Sequence, residues 1–328
     1  MSFRTSGFHV VTTGLQYPEG PVYQSDGSVL VVEIEGQRLT RVLSDGTKQT
    51  VAQLGGGPNG AAIGPGSAVY VCNDGGMTFV HLDKPISPAA VSVPMGASKD
   101  YAGGSIQRVT DKGFSELIGP STGHMLRSPD DLVFDRAGNF WFTDWGKMIG
   151  STRDITGVYY AHPDGCAKMA IPNRAAPNGI ALSPDDSRLY VAETYARWIV
   201  YWELDPNSLG TIKPNPSTLD GAYLLTAAIP RQGTLDSMAV DEEGNVYVAT
   251  MLPDGPCPSV AGGITVISPQ GTILEFIELN VEGLPEPLPS NICFGGSNRQ
   301  TAFITLGGTG RLVSCEMQVP GKKLNFNR

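Results

Sequence analysis

The sequence predicts an all-β fold, a six-bladed β-propeller formed by residues 1–328 as a single domain, its ring closed by the N-terminal strand. Three observations carry that expectation. One pattern of punctuation recurs six times, β-rich runs follow each recurrence at similar distances, and no extended stretch shows the apolar period of 3.6 that a helix needs. Length does not argue against it, because all-β chains of this size often fold as one unit.

The repeat opens on Pro18-Glu19-Gly20, Pro58-Asn59-Gly60, Pro129-Asp130-Asp131, Pro177-Asn178-Gly179, Leu235-Asp236-Ser237 and, most weakly, Ser290-Asn291-Ile292. Each opening reads as a turn. Second strands are expected at residues 29–33, 68–71, 140–144, 189–193, 246–250 and 303–305, and third strands at 39–42, 106–109, 158–161, 199–203, 264–267 and 312–314. Tight turns such as Ser44-Asp45-Gly46 and Pro163-Asp164-Gly165 lead into fourth strands. Four-stranded units of this kind bury little singly, and packing them around an axis removes long exposed edges.

Only the interval between Asn59 and Asp130 is too long for a blade. It holds an insertion over about residues 73–104, rich in Pro, Ser and Gly, which is expected to lie as a lid over one face. The sixth unit runs out before a fourth strand, and residues 8–13 are expected to supply it.

The net charge of −9 and pI near 4.9 exclude nucleic acid, whose binding needs clustered Lys and Arg. No apolar run approaches a membrane span or a signal peptide, so no membrane association is expected. No protein partner is predicted. Five cysteines without a C-x-x-C pair point to free thiols in a reducing compartment, by default the cytoplasm.

Equivalent positions of a radial repeat converge on its axis. The openings would gather Glu19, Asn59, Asp130, Asn178 and Asp236 there, all carrying side-chain oxygen acceptors. Such hard donors suit Ca2+, with Mg2+ or Mn2+ also able to fit and Zn2+ least favoured. Asn and Asp are also ordinary turn residues. Glu19 is not, yet it occupies the corresponding place.

The stretches Tyr17-Pro18-Glu19-Gly20-Pro21, Pro177-Asn178-Gly179-Ile180-Ala181-Leu182-Ser183 and Leu235-Asp236-Ser237-Met238 resemble the regucalcin and gluconolactonase family of six-bladed propellers, over nearly the whole chain. The resemblance implies that Glu19, Asn178 and Asp236 hold a catalytic divalent cation, with Asp236 as proton donor and acceptor. Asp130 is the further candidate as ligand and second candidate as base. Asn59, Asp131 and His124, which lies just ahead of the third opening, are the candidate substrate-binding residues. Where sugar-lactone relatives usually carry Asn-Asp, this chain has Asp130-Asp131 and resembles the drug-responsive bacterial lactonase branch. Trp145, Met148, Phe79, Met251 and Tyr195, just beyond strand ends, suggest a less polar pocket.

Two literal motifs carry no weight. Gly55-Gly56-Gly57-Pro58-Asn59-Gly60 spells a dinucleotide pattern but leads into a strand, and Gly119-Pro120-Ser121-Thr122-Gly123 spells a nucleophile elbow without the helix it needs. The expected activity is opening of a small lactone or ester substrate beside the cation. A phosphotriesterase of the diisopropyl fluorophosphatase type and a non-catalytic calcium-binding propeller are the alternatives.

Overall fold

Six four-stranded antiparallel sheets dominate the computed structural model, which describes residues 2–82, 91–252 and 260–327. Blade one comprises Pro18–Tyr23, Val29–Glu33, Arg38–Val42 and Lys48–Gln53, from the axis outward. The inner strands of blades two to six are Pro58–Ile63, Pro129–Phe134, Pro177–Leu182, Thr234–Val240 and Pro289–Gly295. Second strands fall at Val69–Asn73, Phe140–Asp144, Arg188–Glu193, Val246–Met251 and Thr301–Leu306, each within two residues of the expected span. Among the described residues helix is confined to three single 3-10 turns.

Burial follows from radial packing. Pro177–Leu182 is buried at every position, whereas Lys48–Gln53 on the outside is mostly exposed. Apolar side chains fill each cleft between neighbouring blades: Val22 and Leu30 meet Ala61 and Val71, Tyr70 meets Phe134 and Phe140, and Trp141 meets Leu182 and Val191. The remaining clefts join blade four to five, five to six and six to one in the same manner. Each fully buried Val, Leu or Ile contributes about 1.5–3 kcal/mol.

The ring closes as expected. His9–Thr12 pairs antiparallel with Arg311–Glu316, His9 opposite Ser314, as the outer strand of blade six. Phe3, Phe8 and Val10 pack on the apolar cluster between blades five and six. Deleting residues 1–13 is therefore expected to expose a strand edge and lower both melting temperature and solubility. Unchanged values would remove this strand from the closure.

One expectation needs correction: the openings are not turns but the first residues of the inner strands. In every blade the pairing with the second strand shifts register there, between Glu19 and Val22, Pro58 and Ala61, Pro129 and Leu132, Pro177 and Ile180, Leu235 and Met238, and Pro289 and Asn291. A bulge re-aims a side chain that would otherwise alternate within the sheet. The glycines of the Pro-x-Gly openings serve close approach. A Cβ on Gly60 would sit 2.7 Å from the Asp131 Cα, and one on Gly179 would sit 2.7 Å from the Asp236 carbonyl oxygen. Adjacent inner strands can thus come close enough for their bulged residues to meet.

The end where inner strands begin is called the upper face. Loops joining second to third strands rise there. In blade two this loop is the predicted insertion, which forms a ribbon of Met77–Leu82 paired with Val91–Ala97, while residues 83–90 lie outside the described residues. The ribbon crosses to blades one and six: the Ser92 amide donates to the Gly308 carbonyl at 2.7 Å, and His81 and Ser92 both meet the Glu35 carboxylate, at 2.8 and 3.0 Å.

Below the openings a cavity of about 760 Å3 fills the axis, reaching Gly20, Asp131 and Asn291 at its upper end. The C-terminal segment floors it. Lys322 donates its amide to the Val240 carbonyl and pairs with Asp186 at 2.6 Å, and Asn325 then bonds to the Phe134 carbonyl at 3.1 Å. The segment thus straps the lower face from blade six to blade three.

Candidate functional site

The bulges bring Glu19, Asn59, Asp130, Asn178 and Asp236 together at the top of the axis, all buried. Asn59 Nδ2 donates to Asp130 Oδ2 at 3.1 Å, and the Asn178 amide hydrogen-bonds Asp236. Glu19 Oε2 accepts from its neighbour's amide, Gly20, at 2.7 Å and from Asn291 Nδ2 at 2.8 Å. Asn291 belongs to the sixth opening and was not singled out as a site residue. Its equivalence to Glu19 and Asp130 was the available signal, weakened because the proline of that opening stands one position further upstream.

Asp131 points lower, accepting from the Leu132 amide at 2.8 Å with the Ser237 side chain nearby, and it lines the axial cavity. His124 is not brought into the cluster. It is half-buried on the loop after the 3-10 turn Pro120–Thr122, its Nδ1 3.3 Å from the Thr122 hydroxyl.

Burial is the largest influence on the four acids. It raises Glu19 and Asp130 well above the usual carboxylate range, with the Asp236 charge adding to both, and it brings Asp131 and Asp236 to about 7. The Lys147 charge pulls Asp130 part of the way back. By itself the site cannot hold all its negative charge.

Three oxygens there are buried without a hydrogen-bond donor among the described residues: Glu19 Oε1, Asp130 Oδ1 and Asn178 Oδ1. Leaving such acceptors unpaired is costly. Unpaired hard oxygens on bulged strands fit a divalent cation. Among the described residues no group of three or more His, Cys, Asp or Glu side chains alone forms a metal cluster, so a cation here would need the Asn178 carboxamide as well.

Tyr17 roofs the cluster. It is buried beside Glu19, Asp130 and Asp236, which together with burial raise its hydroxyl well above its ordinary pKa, and its ring packs at 5.2 Å on Phe79 of the ribbon. Of the other apolar candidates, Trp145 and Tyr195 sit 5.9 Å apart, and the Trp145 Nε1 donates to Thr194 at 3.0 Å. Met148 is exposed and Met251 half-buried.

A buried pair behind Asp130 had no spacing signal to betray it. Lys147 Nζ, almost fully buried, lies 3.2 Å from Asp74 Oδ1 and 5.3 Å from the Tyr101 ring. Removing one partner of a buried pair leaves the other charge uncompensated. Lys147→Met is expected to destabilise the fold by about 3–5 kcal/mol in urea unfolding. Adding Asp74→Asn should recover most of that loss, and equal stability of the single variant and wild type would show the pair to be dispensable.

Other strand-end polar groups are structural. Glu33 binds Arg38, Thr40 and the Gln16 amide, and Asp144 accepts from the amides of Arg127, Ser128 and Gly146.

Residues 17–308 match the family described as SMP-30/Gluconolactonase/LRE-like region. The chain is 26% identical over 319 residues to the gluconolactonase of Zymomonas mobilis, covering 90% of this chain and 78% of that protein. It is 30% identical over 237 residues to the lactonase drp35 of Staphylococcus haemolyticus, covering 72% of this chain and 63% of that one. Its fold is similar to the calcium-binding protein regucalcin of Agrobacterium tumefaciens (TM-score 0.70, 15% identity, 99% and 98% of the two chains). It is also similar to a gluconolactonase of Xanthomonas campestris (TM-score 0.67, 21% identity, 94% and 89%).

Proposed function

Since the chain belongs to the SMP-30/gluconolactonase/LRE-like family, we propose that it is a divalent-cation-dependent lactonase acting at the upper mouth of the axis. The observation that carries the cation dependence is the set of three buried, donor-less oxygens on separate blades. Glu19, Asp130, Asn178 and Asp236 would hold the ion, Ca2+ by their chemistry. A bound Ca2+ supplies charge compensation for the acids and Lewis acidity toward a lactone carbonyl.

The chain's own residues do the rest. Asp236 takes a proton from water as that water attacks the carbonyl carbon. The ring C–O bond then breaks, and Asp236 returns the proton to the departing ring oxygen, leaving a hydroxy acid. Asn178 orients Asp236, while Asn59 and Asn291 fix the carboxylates of Asp130 and Glu19. Asp130 is the second candidate for the proton, and Asp131 orients substrate or water from below. Tyr17 and the ribbon limit water above. Free thiols at Cys72, Cys166, Cys293 and Cys315 support a reducing, cytoplasmic setting; Cys257 lies outside the described residues. Among the described residues no helix is long and apolar enough to cross a membrane.

A panel of γ- and δ-lactones, fluorophosphates and aryl phosphotriesters, run with Ca2+ and after exhaustive chelation and gel filtration, tests this reading. Lactone turnover that disappears with the metal is expected. Full activity of metal-free protein would sink the cation dependence, turnover of phosphotriesters alone would transfer the site to that chemistry, and turnover of nothing would leave a binding propeller.

A further inference from the structure

We propose that Arg153 is a carboxylate-recognition residue of this site, so that the preferred lactone carries a carboxylate beside its ring. The proposal rests on the lactonase reading for its reaction but on separate geometry for its ligand.

Arg153 ends a short ribbon, Met148–Ile149 paired with Thr152–Arg153, in the upper loop of blade three. Its guanidinium carbon lies 3.8 Å from the centre of the Trp145 ring and 4.7 Å from that of Tyr195. Nη2 donates to the Trp145 carbonyl at 3.0 Å. Two aromatic faces and one backbone bond therefore fix the plane of the guanidinium.

Holding it does not saturate it. Nε and Nη1 are buried and make no well-aligned hydrogen bond among the described residues; the Tyr195 hydroxyl, a neutral group, is the side-chain acceptor beside the guanidinium, and no carboxylate takes that place. Most arginines near carboxylates here are paired with them: Arg38 with Glu33, Arg127 with Asp154, Arg311 with Glu286. The nearest acid in sequence, Asp154, is already engaged, accepting from Arg127 Nε at 2.8 Å and from the Lys147 amide at 3.0 Å. Arg153 forms no ion pair with a carboxylate among the described residues, and burial works against its charge. Such a group is costly to keep unless an acceptor arrives.

Its position supplies the acceptor's identity. Arg153 is close enough to the axial cluster to feel the Asp130 charge, and Tyr195, which stacks on it, is close enough to act on Tyr17. A molecule whose carbonyl is held at the acids would meet this guanidinium with a second polar group once Nε or Nη1 is uncovered. Each of Nε and Nη1 shares an edge of the guanidinium with Nη2, which keeps a second hydrogen beside the one on the Trp145 carbonyl, and such an edge matches a planar carboxylate better than a hydroxyl or an ether.

The test compares γ-butyrolactone-γ-carboxylate with its γ-carboxamide, on the Ca2+-loaded wild type, Arg153→Lys and Arg153→Met. The wild type should prefer the carboxylate by roughly 10- to 100-fold in kcat/KM, expressed in KM. Arg153→Met should bring that ratio close to one, with Arg153→Lys between. Absence of preference in the wild type, or equal losses on both substrates in Arg153→Met, would overturn the assignment. A second arm follows Trp145 fluorescence, with Trp145→Phe identifying the signal, during titration with α-hydroxyglutarate and with γ-hydroxybutyrate, which lacks the extra carboxylate. Selective response to the first, lost in Arg153→Met, upholds the residue even if neither lactone reacts and the lactonase reading falls. No selective response in the wild type overturns it whatever the turnover.

Discussion

Asp236→Asn is expected to lower kcat for lactone opening by on the order of 100-fold or more, even when Ca2+ is resupplied to saturation. The substitution keeps size and shape and leaves an oxygen for the cation and for Asn178, but the amide can neither take a proton from water nor return one to the leaving oxygen. Calcium polarises bound water far less than zinc does, so ionisation of that water alone will not replace the base near neutral pH. Burial, with the Asp131 charge adding to it and the Asn178 and Ser237 hydrogen bonds opposing it, brings Asp236 to about 7, and a neighbouring cation favours the ionised form that can accept a proton. Steady-state kinetics across a calcium titration decides the matter. Recovery of wild-type kcat at saturating Ca2+ would make Asp236 a ligand only and move the base to Asp130 or Asp131.

The gap in melting temperature between Ca2+-saturated and metal-free protein should widen as pH rises from 5 to 8, by roughly 5 °C or more. In the metal-free fold Asp131 and Asp236 titrate at about 7, against 3.8 for ordinary aspartates, and Glu19 and Asp130 are raised as well. Between about pH 4 and 7 the folded chain therefore binds more protons than the unfolded one. Its stability falls as pH rises through that window, since deprotonation is easier after unfolding. With the ion in place the carboxylates are already ionised in the fold, and binding of the metal displaces their protons. Thermal unfolding of protein stripped by chelation and gel filtration, compared with calcium-loaded protein at each pH, measures the gap. A constant gap would mean that these acids do not share their charge with a metal.

Much of this could be read from the chain because a radial repeat writes the same short phrase at each turn of the ring. Pro18-Glu19-Gly20 and Pro177-Asn178-Gly179 announce themselves through proline and glycine, and the glycines have a geometric task at the axis, the close approach of neighbouring inner strands. These openings are bulged strand starts and not the turns that their composition suggests: composition is alike in both, and only pairing with the second strand separates them. Asn291 is hard to recognise in the sequence because Pro289 stands two positions ahead of it instead of one. Asp74 and Lys147 lie in different blades and at no repeat position, so their contact exists only in three dimensions. Arg153 was invisible for a related reason: what distinguishes it is the bonds it does not make. His124 shows the opposite error, in which proximity in sequence to Asp130 did not become proximity in space.

The pairing of His9–Thr12 with Arg311–Glu316 also sets a timetable for synthesis. His9–Thr12 is made ahead of all six inner strands yet is the last to find its partner, because that partner belongs to the final blade. Until then Arg311–Glu316 and its predecessors present an open edge, and Phe3, Phe8 and Val10 have no cleft to enter. The strap over the lower face, running from Lys322 to Asn325 and beyond, arrives later still. Pairing between segments so distant in sequence carries a loop-closure cost that earlier contacts cannot share. The completed ring is thus assembled by its two extremities, and a chain interrupted anywhere before blade six would remain an arc with adhesive ends rather than a smaller propeller.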